Sequence, residues 1–351
     1  MKKRMNLLFL VMSIGMTLLS SCAPATENNN RTVVDMVGRT VSVPEEVTSY
    51  VDIWYSHQSI PAMLDGCDSM AATSFTRDNP FCSWFFEAFP NVLEADIEKM
   101  NAEELLENGV QVVFMQYSQK QELAAQLEDL GISAIAIDFN DFDGLKKSIS
   151  LVAEVLNKDS AREKAKLFND ELDAQLDFLN ERLGDIKEED KPRVLNLRSF
   201  EQLRADGVNT VQDAWIKACG GINVCGEKGE TGSSVYLNQE QVIEWNPDVI
   251  FTSNVGEAAE ALVNPIYSGL KAVETSSIYD NPSGIHYWNR YTPEVLLQLK
   301  WASKILHPEI FSDINIEQNV KDYYSKYYNY SISDQNLEQM LKGLPPVGWS
   351  E

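Results

Sequence analysis

Several stretches of the 351-residue sequence combine aromatic rings, cations and hydroxyls. They are Tyr55-Ser56-His57-Gln58, the run from Phe75 through Arg77 and Asp78 to Phe81 and Trp84, Gln116-Tyr117, Arg198-Ser199-Phe200 with Arg204, Tyr236, and His286-Tyr287-Trp288-Asn289-Arg290. Aromatic faces stack on flat or bulky molecules, and a guanidinium offers a planar fork that fits a carboxylate or an oxyanion. This chemistry recognises a small molecule and breaks no bond. The candidate ligand contacts are Tyr55, His57, Arg77, Trp84, Tyr117, Arg198, Arg204, Tyr236, His286, Trp288 and Arg290. For each of them a plainer role stays open: a ring packed on its own lobe, or an Arg held in a surface ion pair.

The sequence has three histidines, His57, His286 and His307, so a cage of several imidazoles is excluded. Two of them with a carboxylate such as Asp78 could still meet around a metal. His307 precedes Pro308 at a helix end and is assigned a structural role. Neither a resident metal nor a cofactor is expected. The GxSxG, P-loop, HExxH and GxGxxG patterns are absent, and no Ser, His and Asp can be grouped from spacing. With 53 Asp+Glu in the chain, any chosen pair of carboxylates carries no weight. The chain therefore reads as a binding protein and not an enzyme, with a lipoprotein hydrolase or a glycan-binding protein as the alternative class.

These residues need elements to hold them. Thr32 to Pro44 is two β-like runs around Gly38, a hairpin. Strands are expected at Tyr50–Trp54, Ser69–Ser74, Val110–Met115 and Ser133–Ile137, with helices at Ile60–Leu64, Ala102–Asn108 and Gln119–Leu130. Strand alternating with helix makes a parallel sheet covered on both faces. From Asp143 to Leu183 apolar residues recur near a 3.6 period, broken once at Asn157-Lys-Asp-Ser160, where Asp159 or Ser160 could cap a second helix of over 20 residues. A second α/β set follows: a strand at Val194–Leu197, helices at Thr210–Ala218 and Glu240–Glu244, a strand at Val249–Thr252, and helices at Pro293–Leu306 and Val320–Tyr327. In parallel sheets ligands sit beyond the carboxyl ends of strands, where the aromatic and cationic loops fall.

The start of the chain has its own pattern. Lys2-Lys3-Arg4 is basic, Leu7 to Leu19 is a short apolar run, and Leu19-Ser20-Ser21 precedes Cys22. The apolar run is too short to span a bilayer, which needs about 20 residues. A secretory signal is expected, and its ending resembles a bacterial lipobox, with Cys22 lipidated as the new N-terminus. Residues 23–31 read as a flexible tether. Losing residues 1–21 removes Lys2, Lys3 and Arg4, taking the net charge from −24 to −27. So acidic a chain argues against nucleic acid, whose phosphates need a basic face. Of the remaining cysteines, Cys67 with Cys82 and Cys219 with Cys225 could pair in an oxidising compartment, and free buried thiols are the competing reading.

The two halves also repeat a local pattern. Asn101-Ala-Glu103-Glu-Leu105 precedes Val112-Val113-Phe114, and Asn238-Gln-Glu240-Gln-Val242 precedes Val249-Ile250-Phe251, with nine positions from Glu to strand in both. Each Glu falls in a first helical turn, where the dipole favours a carboxylate.

Asp35-Met-Val-Gly38-Arg39-Thr-Val-Ser-Val-Pro44, Gln239-Glu240-Gln-Val242-Ile-Glu-Trp-Asn246-Pro247-Asp248-Val-Ile250 and Trp288-Asn-Arg290-Tyr-Thr-Pro293-Glu294, with Trp301 and His307-Pro308-Glu309, resemble the substrate-binding lipoproteins of ABC importers for iron chelates, haem, cobalamin and some oxyanions. The likeness covers most of Thr32 to Tyr330, although Gly109-Val110-Gln111 stands where Lys-Pro-Asp is usual. It implies an α/β fold of two Rossmann-like lobes with parallel sheets, joined by one long connecting helix, with the ligand cleft between them. The expected divisions are a signal at 1–22, the tether at 23–31, a first lobe at 32–142, a connecting helical segment at 143–190, a second lobe at 191–330 and a C-terminal tail at 331–351. Glu103 and Glu240 occupy the positions that in this family meet Arg on the permease. The implied protein is an exported, lipid-anchored monomer that hands an iron chelate (siderophore) to an ABC permease and its ATPase. Haem, cobalamin, molybdate or tungstate and a bare metal ion are the alternative cargoes.

Overall fold

A computed structural model of the protein describes residues 30–349. The expected signal, Cys22 and the tether up to residue 29 lie outside the described residues. Asn30 and Arg31, expected to end the tether, already belong to a strand.

The first lobe opens with an antiparallel hairpin, β1 (Asn30–Val34) and β2 (Thr40–Pro44), in register Asn30 with Pro44 through Val34 with Thr40. Its turn needs Gly38 at φ +83°, and Asp35 holds it closed by accepting from the Arg39 amide at 2.8 Å and from Arg39 Nε at 2.8 Å. Behind the hairpin β3 (Tyr50–Asp52), β4 (Val112–Met115) and β5 (Ser133–Ala136) form a parallel sheet in that order. Every residue of the three is buried, as the lack of polar alternation implied. Helices α1 (Ser59–Met63), α2 (Ser83–Ala88), α3 (Ala102–Glu107) and α4 (Tyr117–Asp129) cover it. The strand expected at Ser69–Ser74 does not form. Ala71 N donates to Tyr50 O, but Thr73 N donates to Leu93 O, so the segment changes partner after two residues and leaves only isolated bridges.

One long helix, α6 (Asp159–Leu183), links the lobes as expected; before it α5 (Phe142–Leu156), capped by the Asp141 side chain, packs on β1 and α1 of the first lobe. Between them Asn157 turns the chain at φ +54°. The expected cap by Asp159 or Ser160 is absent, because Lys158 is the N-cap and offers no acceptor. Helix α6 has 25 residues and spans roughly 37 Å. Its apolar stripe, Ala161, Ala165, Phe168, Leu172, Leu179 and Leu183, is buried in one apolar cluster that also takes in Leu145 and Val152 of α5 and Val194 and Phe251 of the second lobe. A buried Phe or Leu of this kind contributes about 1.5–3 kcal/mol. A core continuous across the connection resists large hinge motion.

The second lobe contains β6 (Arg193–Ser199), β7 (Arg204–Asp206), α7 (Val211–Ala218), β8 (Ile222–Asn223), α8 (Val224–Glu227), β9 (Ser233–Tyr236), α9 (Gln239–Trp245), β10 (Val249–Thr252), α10 (Glu257–Val263), α11 (Lys271–Glu274) and β11 (Ile278–Asp280). The sheet runs β11-β10-β6-β7-β9, with β8 also beside β6. It is not wholly parallel as expected, since β7 is antiparallel to both β6 and β9. Only Phe200 to Leu203 connect β6 to β7, enough for a hairpin and too short for a parallel crossover. Helices α12 (Val295–Leu306), α13 (Ile316–Tyr328) and α14 (Asp334–Leu341) end the described chain. Helix α13 returns to the first lobe, where the Tyr328 hydroxyl donates to Ser59 O. The segment expected as a tail is docked on both lobes: Trp84 Nε1 donates to Leu344 O at 3.0 Å and Ser283 N to Met340 O.

Candidate functional site

Side chains alternate across a strand. Leu195, Leu197 and Ala205 are fully buried in the core on one face of the second sheet, which sends Asn196 of β6 and Arg204 and Asp206 of β7 to the other. Arg198 follows Leu197 at the irregularity in β6 and turns to the same side. There Arg198 Nε donates to Asp206 Oδ1 at 2.9 Å.

The loop between β11 and α12 closes over this face. Asn289 Nδ2 donates to Asn196 Oδ1 at 3.0 Å and to Ser253 Oγ at 3.2 Å. Arg290 donates through Nη1 to Asp206 Oδ2 at 3.3 Å and through Nη2 to Ser253 Oγ at 3.2 Å. The loop is held from behind by Glu294, whose carboxylate accepts from Ile285 N at 2.9 Å, His286 N at 2.7 Å and the Tyr324 hydroxyl. Residue 284 must be glycine, because a Cβ there would overlap the Tyr324 hydroxyl and Glu294 Oε1.

Two arginines thus share one carboxylate, and a third, Arg204, stands on the same strand as that carboxylate. Arg290 is buried, and burial followed by the repulsion of Arg198 lowers its pKa to about 10. Arg204 forms no ion pair among the described residues, and its Nε is buried without a hydrogen-bond partner. The neighbouring carboxylate, Glu257, is spent on its own lobe: it accepts from Phe200 N, Ser199 Oγ and Asn254 Nδ2. The cluster carries excess positive charge within an acidic protein, an arrangement that draws an anion.

The first lobe meets this loop with aromatic rings. Trp54 stands 5.5 Å from Tyr291 and Phe139 5.6 Å from it, centroid to centroid, while Tyr55 lies edge-on to His286 at 5.7 Å and Phe81 lies 5.2 Å from Tyr287. Ser59 Oγ donates to Thr292 Oγ1 at 3.2 Å. Both ring nitrogens of His286 are buried without a partner. Burial and then the charge of Arg290 lower its pKa to about 3, so the ring is neutral.

The candidates therefore separate. Tyr55, Arg198, Arg204, His286 and Arg290 lie where the lobes meet, and Tyr236, strongly exposed, sits opposite Arg204 in the β7–β9 ladder. The others do not join them. His57 is wholly buried, with Nδ1 bonded to Asp52 and Nε2 2.7 Å from Ser148 Oγ. Arg77 lies over the Phe86 ring and donates through Nη2 to Pro90 O and Val92 O, contacts that hold it against its own lobe. Trp84 and Trp288 are buried in the apolar core, where their ring area contributes more than it would in a wet cleft. Tyr117 stacks under the Arg39 guanidinium at 4.1 Å, on the outer side of the first lobe with the hairpin.

Sequence reasoning missed Trp54, Phe139, Tyr291, Ser253 and Asp206. Tyr291 was within reach as the aromatic next to Arg290. Asp206 lies on a three-residue strand with no pattern long enough to read.

Asp52, His57 and Ser148 stand in the order carboxylate, imidazole, hydroxyl, as in an acyl hydrolase. All three are buried, and the Trp54 ring lies flat over His57 at 5.5 Å. The chain of bonds ties the end of β3 to α5 and gives no substrate access to Ser148. Among the described residues no group of three or more His, Cys, Asp or Glu is arranged to hold a metal ion. Cys67, Cys82, Cys219 and Cys225 are free thiols, so neither pairing left open by the sequence is made. A surface groove of about 830 Å³ runs between β2 and the amino ends of β4 and β5, away from Arg198, Arg204 and Arg290, and is lined by Arg39 against Glu45, Glu46 and Glu128, an acidic balance that does not suit an anion.

A family model described as "Periplasmic binding protein" matches residues 93–284. The molybdate-binding protein MolA of Haemophilus influenzae is 25% identical over 337 residues, covering 88% of this chain and 93% of MolA. An uncharacterized ABC transporter substrate-binding lipoprotein of Bacillus subtilis, YvrC, is 20% identical and covers 89% of this chain and all of YvrC. A periplasmic solute binding protein from Veillonella parvula superposes with a TM-score of 0.75 at 24% identity, covering 89% of this chain and 97% of the other. MolA bound to molybdate superposes with the same TM-score at 22% identity, covering 86% and 99%. At these identities the superpositions establish a shared fold. The relatives are binding proteins, not enzymes.

Proposed function

The chain belongs to the periplasmic binding protein family, and from that premise we propose that it captures a small anionic solute outside the cytoplasm and delivers it to an ABC importer permease and its ATPase. The observation that carries this reading is the convergence of Arg198 and Arg290 on a single buried carboxylate, Asp206, with the unpaired Arg204 two residues away on the same strand, where the lobes meet.

A metal oxyanion suits the cleft better than the iron chelate expected from the sequence. Rings of the two lobes are in contact across it, Trp54 against Tyr291 at 5.5 Å and Tyr55 against His286 at 5.7 Å between centroids, a closed arrangement that favours a compact solute over a bulky one. MolA, a quarter identical, is a molybdate-binding protein. A ferric siderophore is the second reading, favoured by the unpaired neutral imidazole of His286 beside Tyr55, donors that suit an open metal position.

In this account the solute draws the arginines and the aromatic wall together, and the continuous core around α6 limits how far the lobes close. Cys22, lipidated, would tie the protein to the bacterial membrane, as the lipoprotein description of YvrC supports. Glu103 and Glu240 would pair with permease cations, so that ATP-driven opening strips the solute. A tryptophan-fluorescence titration against molybdate, tungstate, ferric siderophores, haem and cobalamin tests the reading, because Trp54 lies at the closure point. Saturable quenching by an anion is expected, and quenching by cobalamin alone would refute it.

A further inference from the structure

The chain leaving α14 crosses from one lobe to the other within five residues, Met340 to Leu344. Met340 O accepts at 3.3 Å from Ser283 N, in the loop that carries His286 and Arg290, and Leu344 O accepts at 3.0 Å from Trp84 Nε1, in α2 of the first lobe. Between these anchors α14 ends in a Schellman turn: Leu344 N donates to Gln339 O at 2.9 Å and Gly343 N to Met340 O at 3.0 Å. Gly343 stands at φ +70°, and a Cβ there would come within 2.9 Å of Val255 Cγ2 and 3.3 Å of Asn281 O, both of the second lobe. Glycine is thus required twice, by the turn and by the close approach.

We propose that residues 340–349 are a clasp that holds the two lobes at this separation when no solute is bound. Its anchors lie on the two segments whose rings meet across the cleft. Phe81 and Tyr287 stand 5.2 Å apart, Trp84 follows Phe81 by three residues, and Ser283 precedes Tyr287 by four. A link between those segments opposes their parting. The clasp is itself fixed in the core, since Met340 is fully buried and Trp349 packs on the same apolar cluster as Trp84. A cleft held near its closed form spends less of the solute's binding energy on closing. No hydrogen bond among the described residues joins the clasp to Arg198, Arg204 or Arg290, so the inference rests on the two-lobed cleft and not on the charge of the solute.

Lobe separation is read from two spin labels, coupled to a ketone-bearing amino acid at Leu93 in the first lobe and Val263 in the second, both strongly exposed. The full chain, held in detergent without solute, should give one narrow distance distribution by dipolar spectroscopy. A chain ending at Lys342, which keeps α14 and the Met340 anchor, should widen that distribution at least roughly twofold and extend it to longer distances. Gly343→Val, which leaves the chain complete but cannot hold the turn, should widen it in the same direction. A distribution already wide in the unaltered chain would overturn the proposal. So would an unchanged distribution in the folded shortened chain, even with a loss of stability, because a merely structural segment behaves that way. If the shortened chain does not fold, Gly343→Val decides: widening supports the clasp and an unchanged distribution overturns it.

Discussion

Glu103 and Glu240 hold the same position in two matched helices: each is the second residue past an asparagine N-cap, and each helix leads into a buried strand that starts nine positions after the Glu. The caps match bond for bond. Asn101 Oδ1 accepts from Glu104 N at 2.9 Å and Asn238 Oδ1 from Gln241 N at 2.8 Å, while the Glu104 and Gln241 side chains accept from the cap amides in return. Both Glu side chains are exposed, and neither forms an ion pair among the described residues. Such carboxylates contribute little to folding and are available to a partner. Charge reversal, Glu103→Arg or Glu240→Arg, should leave solute affinity within about twofold and reduce uptake in cells at least tenfold. Loss of binding by a folded variant would remove the docking assignment.

The loop that carries His286 and Arg290 depends on Glu294. Burial raises its pKa from the ordinary 4.5 to about 7, against the hydrogen bonds that lower it. A carboxyl whose folded pKa lies above the unfolded one favours the folded state fully below pH 4.5, and that advantage is lost as pH rises through 7. Measured against Glu294→Gln, stability should therefore fall by on the order of 3 kcal/mol between these limits and level off above. Denaturant titrations across this range check it, and a constant difference between the two proteins would contradict the assignment.

His57 supports the first lobe and not the ligand. His57→Ala leaves the Asp52 carboxyl and the Ser148 hydroxyl buried without their imidazole partner, which should cost about 2–6 kcal/mol at about 1–3 kcal/mol for each unsatisfied group. Chemical unfolding should show that loss, while affinity for the solute in the folded protein stays within about threefold. A variant of unchanged stability with weakened binding would return His57 to the cleft.

The contrast between His57 and His286 marks the limit of what the sequence discloses. Both follow a strand and stand among aromatics, and the difference lies in Ser148, 91 residues away, which occupies one imidazole and not the other. Elements with strong local signals were legible. Val249–Thr252 forms the strand with the expected ends, the hairpin turns at Gly38, and α3 and α9 start at their asparagines. Elements set by tertiary pairing were not. Ser69–Ser74 has strand-like residues and two competing partners, and β7 is three residues long, defined only by its neighbours. Asp206 was hidden with it, and Arg77 reads as a ligand contact because nothing local announces that the Phe86 ring and the carbonyls of Pro90 and Val92 will hold its guanidinium on its own lobe.

The central claim is that Arg198 and Arg290 hold an anion between the lobes. Calorimetric titration of the unaltered protein and of Arg198→Ala/Arg290→Ala with molybdate and tungstate tests it most directly. Two charge-assisted contacts, each contributing about 1.5–3 kcal/mol, predict saturable binding by the unaltered protein and a loss of at least roughly 100-fold in the folded double variant. Equal affinity in the two proteins would contradict the account.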